Sequence, residues 1–215
     1  MNIKINKNKT ISFDIDSQNG FTPNCPGELP VNDGHNIVDE LNNNAKFAKY
    51  RFMSKDAHPS NGHWIATSKE PQFSQVGEKN VDIRWNQHCV VGTYGFELID
   101  GLPKASEYDY LVYKGVEKDM HPYSPIYHDL NKTISTGVIE MANCMNIETF
   151  IIGGLALNYC VGEGAKDLKK AGFRVIINLA STRGIGDENI LKNYINELEK
   201  LDIEFVKTSK DFLTQ

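Results

Sequence analysis

TFIIGGLALNYCVGEGAKDLKKAGFRVIIN, residues 149–178, is the stretch that decides the fold. Thr149–Gly153 is a short run of β-branched and aromatic residues, which reads as a buried strand. From about Tyr159 to Ala171 the pattern turns helical, and Arg174–Asn178 (RVIIN) is a second strand. Strand, helix and strand in succession imply parallel neighbours, because parallel strands need a long crossover.

The same alternation runs outward in both directions. Upstream, Lys9–Ile15 (KTISFDI) reads as a strand, and Asn36–Tyr50 carries Ile37, Val38, Leu41, Ala45 and Ala48 near helical spacing. Arg51–Ser54 and Tyr110–Tyr113 are further strands, and Asn131–Met145 is helical with Ile134, Val138, Met141 and Ala142 on one side. Downstream, Asp187–Leu201 is an amphipathic helix with Ile190, Tyr194, Ile195 and Leu198 inward, Ile203–Val206 is a last short strand, and Lys210–Thr214 reads as a helical turn. Residues 55–100 break the rhythm: they are rich in Asn, Gly, Ser, Pro and His and hold both tryptophans, Trp64 and Trp85. A long irregular insertion in a compact domain is usually functional or disordered, and Trp64, Trp85 and three histidines argue for functional. The expected fold is therefore α/β, a three-layer α/β/α sandwich around a mostly parallel, doubly wound, Rossmann-like sheet. It forms one domain over residues 1–215, with the insertion at about 55–100.

The chain has 215 residues and a net charge of −5, with acids and bases interspersed. No basic face announces a nucleic-acid partner. No apolar run approaches the roughly 20 residues that span a bilayer, and MNIKINKNKT lacks the apolar core of a signal peptide. The cysteines Cys25, Cys89, Cys144 and Cys160 form no compact framework. Reduced thiols in a cytoplasm are the expectation.

In a sheet of this kind ligands bind beyond the carboxyl ends of the strands. Catalytic residues should then sit just after strands, and several do. Asp16 ends the first strand. Asp56 and His58 follow the second, two apart in extended chain and so on one side. With His88 downstream they suit a divalent transition metal, and His63 is an optional fourth ligand. Lys114 ends the strand at Tyr110–Tyr113, where it could stabilise a thiolate or an oxyanion. Cys160 lies near the start of the helix after Thr149–Gly153, a place that lowers a thiol's pKa and suits an acyl-transfer nucleophile. Each taken singly also fits a bland role: a turn carboxylate, a polar loop, a solvated lysine, a buried structural cysteine.

Taken together, the sequence resembles the nicotinamidases of the isochorismatase-like cysteine hydrolase superfamily, from about Lys9 to Phe205. The matching blocks are DSQNGF (16–21), GELPV (27–31), KDAHP (55–59), WNQHCVVGTYG (85–95), YKG (113–115), PYS (122–124) and GGLALNYCV (153–161), followed by Gly172-Phe173-Arg174-Val175. The resemblance implies hydrolysis of nicotinamide to nicotinate and ammonia through a cysteine thioester, in NAD salvage. It implies a catalytic triad of Asp16, Lys114 and Cys160, metal ligands Asp56, His58 and His88 with His63 in some members, and pocket residues Phe21, Trp85 and Tyr123. It further implies a cis bond at Leu155–Ala156 and an oxyanion hole made of the Ala156 and Cys160 backbone N–H groups. The cofactor would be one divalent ion, zinc first, with Fe, Mn or Co also suited to such donors. The partner is a small-molecule substrate, with neither nucleic acid nor membrane, and a homo-oligomer is compatible.

Three positions depart from the family pattern. Gly20 stands where the motif usually has a second acid, Asn158 where an Asp often precedes the nucleophile by two residues, and Pro125 interrupts the YSAF-like block. They lie near the expected pocket, so a relative acting on another small carboxamide or a ureido compound is the nearest rival. A non-catalytic metal-binding or thiol redox protein is the rival of another class.

Overall fold

A computed structural model describes residues 2–214. Six parallel strands form the central sheet: β2 (Thr10–Ile15), β3 (Tyr50–Asp56), β6 (Tyr110–Lys114), β7 (Thr149–Leu155), β8 (Arg174–Arg183) and β9 (Glu204–Val206). Their spatial order is β6-β3-β2-β7-β8-β9. The chain winds outward one way from β2 and the other way from β7. This is the doubly wound order, with its switch point between those two strands.

Helices cover the sheet because its strands alternate apolar side chains between two buried faces. Phe150 and Ile152 join Phe13, Phe52, Val175 and Ile177 on one face, under α2 (Val138–Cys144), α3 (Gly162–Lys170) and α4 (Glu188–Glu199). Ile151 and Ile176 point the other way, into a cluster with β1 (Ile3–Ile5) and β10 (Phe212–Thr214), while α1 (Val38–Ala45) buries Leu41 nearby. Among the described residues, no helix is long and apolar enough to cross a membrane.

Four local expectations are corrected. The helix expected over Asn131–Met145 begins only at Val138. Gly137 ahead of it adopts φ +86°, and Asp129 ties the N–H groups of Thr133 and Ile134 into a loop at 2.8 and 2.9 Å. Ile134 is consequently exposed. On α4, Leu198 is buried but Ile190 is exposed. The helical turn expected over residues 210–214 is shorter and earlier: a 3-10 turn at Ser209–Asp211, capped by Thr208, leads into β10, which pairs in parallel with β1. The segment from 55 to 100 is partly ordered as an antiparallel hairpin, β4 (Gln75–Glu78) and β5 (Val81–Ile83). Bridges at His58–Val90 and Ile65–Trp85 fold this segment back over the carboxyl end of β3.

The Phe150 ring lies 6.3 Å from Phe13 and 5.0 Å from Phe173 in the larger core cluster. Phe150→Ala should cost about 3–5 kcal/mol in urea unfolding, whereas Leu213→Ala on exposed β10 should stay within about 0.5 kcal/mol. Equal midpoint shifts would contradict this placement of the core.

Candidate active site

The switch point sets the site. Asp16 leaves the end of β2 and Cys160 follows β7, its neighbour in the sheet, while Asp56 ends β3 and Lys114 ends β6. Four strand ends thus deliver four functional groups to one edge. Asp16 turns there with φ +47°, and its carboxylate accepts a 2.6 Å hydrogen bond from the Ser54 hydroxyl. Gln18 fastens β3 beside it, since its side chain donates to the Asp56 carbonyl at 2.8 Å and accepts from the Asp56 N–H at 2.7 Å.

Lys114 is fully buried at the centre. Its Nζ donates a short hydrogen bond to Asp56 Oδ1, lies 3.1 Å from Asp16 Oδ2 and 3.6 Å from Cys160 Sγ, and donates to the Pro122 carbonyl at 3.2 Å. Burial alone would strip its charge, but Asp16, Asp56 and Cys160 outweigh it and push the ammonium pKa well up. Asp56 is likewise buried, yet Lys114 and the imidazoles of His58 and His88 hold its carboxyl well below the usual range. Asp16 is raised, because burial and the Asp56 charge exceed the help of Lys114 and Ser54. A carboxylate with a raised pKa is a better proton acceptor.

Cys160 ends the sequence GLALNYC in a wide turn at Leu157–Val161, just before α3. The peptide bond Leu155–Ala156 is cis. The Cys160 sulfur and the carboxylates of Asp16 and Asp56 gather within 4.8 Å. The thiol pKa moves opposite to the sequence-based expectation. Burial and the two carboxylates push it well up, and Lys114 offsets only part of this. Cys160 therefore rests as a thiol facing a base.

A second cluster adjoins the first. His58, His88 and His121 each present a ring nitrogen within 4.8 Å of the others, and all three are buried. His58 Nδ1 donates to the Gly115 carbonyl at 2.9 Å, and His88 Nδ1 donates to the Asn86 carbonyl at 2.6 Å. A carbonyl only accepts, so each bond fixes the tautomer and leaves an Nε2 lone pair aimed inward. Those Nε2 atoms lie 3.5 and 3.8 Å from Asp56 Oδ2. His58 Nε2 and both nitrogens of His121 are buried without a hydrogen-bond partner. Burial pushes the His88 and His121 pKa values down, which keeps those rings neutral. Buried imidazoles around a carboxylate, two of them held neutral, fit a divalent transition metal.

His63 is not in this cluster. Its side chain is 45% exposed and pairs with Glu78 on β4 at 3.2 Å. The next residue, Trp64, takes the inward direction, with its ring 4.4 Å from His58 and 4.7 Å from His121.

A cavity opens onto both clusters. Phe21, Trp85, Tyr123, Ala156 and Cys160 all line it, as do Asp56, His88 and His121. The remaining wall is Leu29, Tyr159 and Ile185, which the sequence did not single out. Trp85 Nε1 donates to the Tyr123 hydroxyl at 3.2 Å, and that hydroxyl donates to Asp82 at 2.9 Å. The Tyr159 ring stands edge-on to Trp85 at 5.1 Å.

The departures at Gly20 and Asn158 have local structural counterparts. A Cβ on Gly20 would collide with the Glu28 carboxylate, which takes that space and accepts the Cys89 N–H at 2.8 Å. Asn158 accepts from the Ile185 N–H at 2.9 Å and donates to the Ile185 carbonyl at 3.0 Å, which holds that wall of the cavity.

No family model matches the chain. Two curated relatives are similar to it along most of its length. A nicotinamidase of Acinetobacter baylyi is 27% identical over 86% of this chain and 86% of its own. A nicotinamidase of Saccharomyces cerevisiae is 26% identical over 85% of this chain and 92% of its own. Among solved structures, an L. infantum protein in complex with nicotinate superposes with a TM-score of 0.84 at 23% identity, covering all of both chains. The pyrazinamidase of Pyrococcus horikoshii in complex with zinc gives 0.74 at 24% identity, covering 92% of this chain and 98% of its own. These structures share the fold.

Gly115 connects the two clusters. It has φ +67°, and a Cβ there would fall on the His58 ring. Gly172 has φ +95° with nothing near its Cβ position. Both Gly→Ala changes carry a positive-φ penalty, but only Gly115→Ala should also displace His58. Zinc affinity by chelator competition should fall at least about tenfold in Gly115→Ala and hold in Gly172→Ala. Equal affinities would refute the described packing of His58.

Proposed function

We propose that this chain is a nicotinamidase of the isochorismatase-like cysteine hydrolases, converting nicotinamide to nicotinate and ammonia. One observation carries the reading. A buried thiol, a carboxylate of raised pKa and a buried ammonium converge at the switch point, beside a group of buried imidazoles and a cavity with aromatic walls. The nicotinamidase relatives support it over most of the chain.

Cys160 is the nucleophile and Asp16 its base. As the substrate carbonyl carbon approaches, Asp16 takes the thiol proton and the sulfur bonds to that carbon. Lys114 stabilises the negative charge as it passes from the Asp16 carboxylate to sulfur. The backbone N–H groups of Ala156 and Cys160 are the donors for the tetrahedral oxyanion, each such donor being worth about 10²–10³ in rate. Asp16 then returns its proton to the amide nitrogen, the C–N bond breaks, and ammonia leaves a thioester. Water attacks that thioester while Asp16 accepts its proton, the C–S bond breaks, and the thiol is restored. Phe21, Trp85 and Tyr123 form walls against the pyridine ring, at little entropic cost because aromatic side chains have few rotors.

Asp56, His58 and His88 would hold a divalent ion, and we assign zinc, with Fe, Mn or Co compatible with the same donors. When bound, the ion supplies a Lewis-acidic anchor for the pyridine nitrogen. A small carboxamide is accordingly the substrate class, and one with a ring nitrogen would suit an ion held by Asp56, His58 and His88.

Ammonia release from nicotinamide should disappear on chelation and return with metal. Cys160→Ala should lose about 10⁴-fold or more in kcat while its circular dichroism is unchanged. Persistent activity in that variant would exclude the cysteine route. Turnover of another amide with none of nicotinamide would keep the chemistry and move the substrate.

The pH profile is a separate test. Asp16 must be ionised to act, and its pKa is raised. Activity should therefore fall with decreasing pH above the ordinary carboxylate range. Ser54 favours the ionised form, so Ser54→Ala should move the acid limb of kcat/KM to higher pH. A limb that stays in place would remove Asp16 as the base.

A further inference from the structure

We propose that His121 is a fourth protein ligand of the metal and that it ties metal occupancy to the wall of the substrate cavity. The inference rests on the metal site proposed above.

His121 lies 4% exposed in the segment between Gly115 and Tyr123, far in sequence from the other candidate ligands. Its backbone N–H donates to the Asn80 carbonyl at 2.9 Å, which pins the segment against the β4–β5 hairpin. The side chain has no such use: neither ring nitrogen has a hydrogen-bond partner. A buried polar ring with both nitrogens unpaired is costly and calls for a partner. The direction it faces is informative. One ring nitrogen lies within 4.8 Å of ligand nitrogens of both His58 and His88. The ring stacks on His58 at 5.2 Å and 14°, and is nearly parallel to Trp85 at 6.0 Å and 15°. These contacts set the plane of the imidazole with one of its nitrogens toward the cluster. His63, the alternative fourth donor, is spent on Glu78 in solvent.

The position has a consequence for the substrate. His121 and Tyr123 are two residues apart, both line the cavity, and Tyr123 is bonded to Trp85 and Asp82. Ligation through His121 would anchor that wall, so metal loading would organise the aromatic side of the cavity as well as supply a Lewis acid.

The test measures zinc affinity by chelator competition in the full chain, with Co(II)-substituted protein as a spectroscopic readout. The variants are His121→Phe, His121→Ala, His63→Ala and His58→Ala. His121→Phe keeps a flat ring between His58 and Trp85 while removing both nitrogens, and thermal unfolding checks that each variant folds. Zinc affinity should drop at least about tenfold in both His121 variants and stay at the parent value in His63→Ala. The Co(II) visible bands should shift in His121→Phe. Metal removal from the parent protein should speed amide hydrogen exchange across residues 116–124. Folded His121→Phe and His121→Ala with parent affinity and parent Co(II) bands would overturn the proposal, and a loss confined to His58→Ala would do so while leaving the three-ligand site standing. Parent affinity in His58→Ala as well would remove the metal site itself.

Discussion

Everything at the site depends on one buried cation. Lys114 stands between Asp16 and Asp56 with the sulfur of Cys160 within reach. Two carboxylates this deep in a protein cannot both stay ionised without compensation. One ammonium offsets one of them, and the remainder is visible in how they divide: Asp56 is held ionised and Asp16 is pushed toward the proton. Deleting one partner of a buried ion pair typically costs about 3–5 kcal/mol, so this lysine sets local stability as well as chemistry. The residual negative charge also makes the neighbouring space attractive to a divalent cation. The raised Asp16 carboxylate and the cation-attracting space beside Asp56 are thus two outcomes of one charge balance.

The sheet makes that balance affordable in chain terms. Asp16, Asp56, Lys114 and Cys160 come from four neighbouring strand ends, and the strands are held by ladder hydrogen bonds, on both sides for β2, β3 and β7 and on one side for β6 at the sheet edge. Positions set by parallel registry need no long loop to be ordered, and a group misplaced by about 1 Å can cost about 10²-fold in rate. The loops carry the less exacting tasks. They close the cavity with aromatic walls and supply imidazoles, whose ring orientation is then set by carbonyls of Gly115 and Asn86.

This division explains what could be read from the sequence. Strands with a buried face on each side show as continuous apolar runs, so the parallel sheet and the residues at its edge were legible, including Asp16, Asp56, Lys114 and Cys160. Segments stabilised by distant contacts were not. Strands β1 and β10 are three residues each and exist because they pair with one another across the whole chain. Glycine at 137 and the Asp129 loop shortened a helix whose apolar spacing looked continuous. His63 and His121 have the same side-chain chemistry; which one reaches the cluster is decided by Trp64 turning inward and by the hairpin that holds residue 121. No local pattern encodes that choice.

The thiol shows the same limit from the other side. A cysteine before a helix is expected to be acidic on local grounds, and locally the expectation is sound. It fails here because burial of the thiol raises its pKa first, and the carboxylates that add to this arrive from β2 and β3, more than a hundred residues earlier in the chain. The exchange at Gly20 has the same character. Read along the chain, the motif has lost an acid; in space, Glu28 fills the room that a side chain at 20 would need and holds the Cys89 amide next to His88. A motif records which residues stand in sequence, whereas the chemistry depends on which charges and dipoles share a volume. For Gly20 and Asn158 those two descriptions differ, and the spatial one shows what each residue's surroundings use the position for.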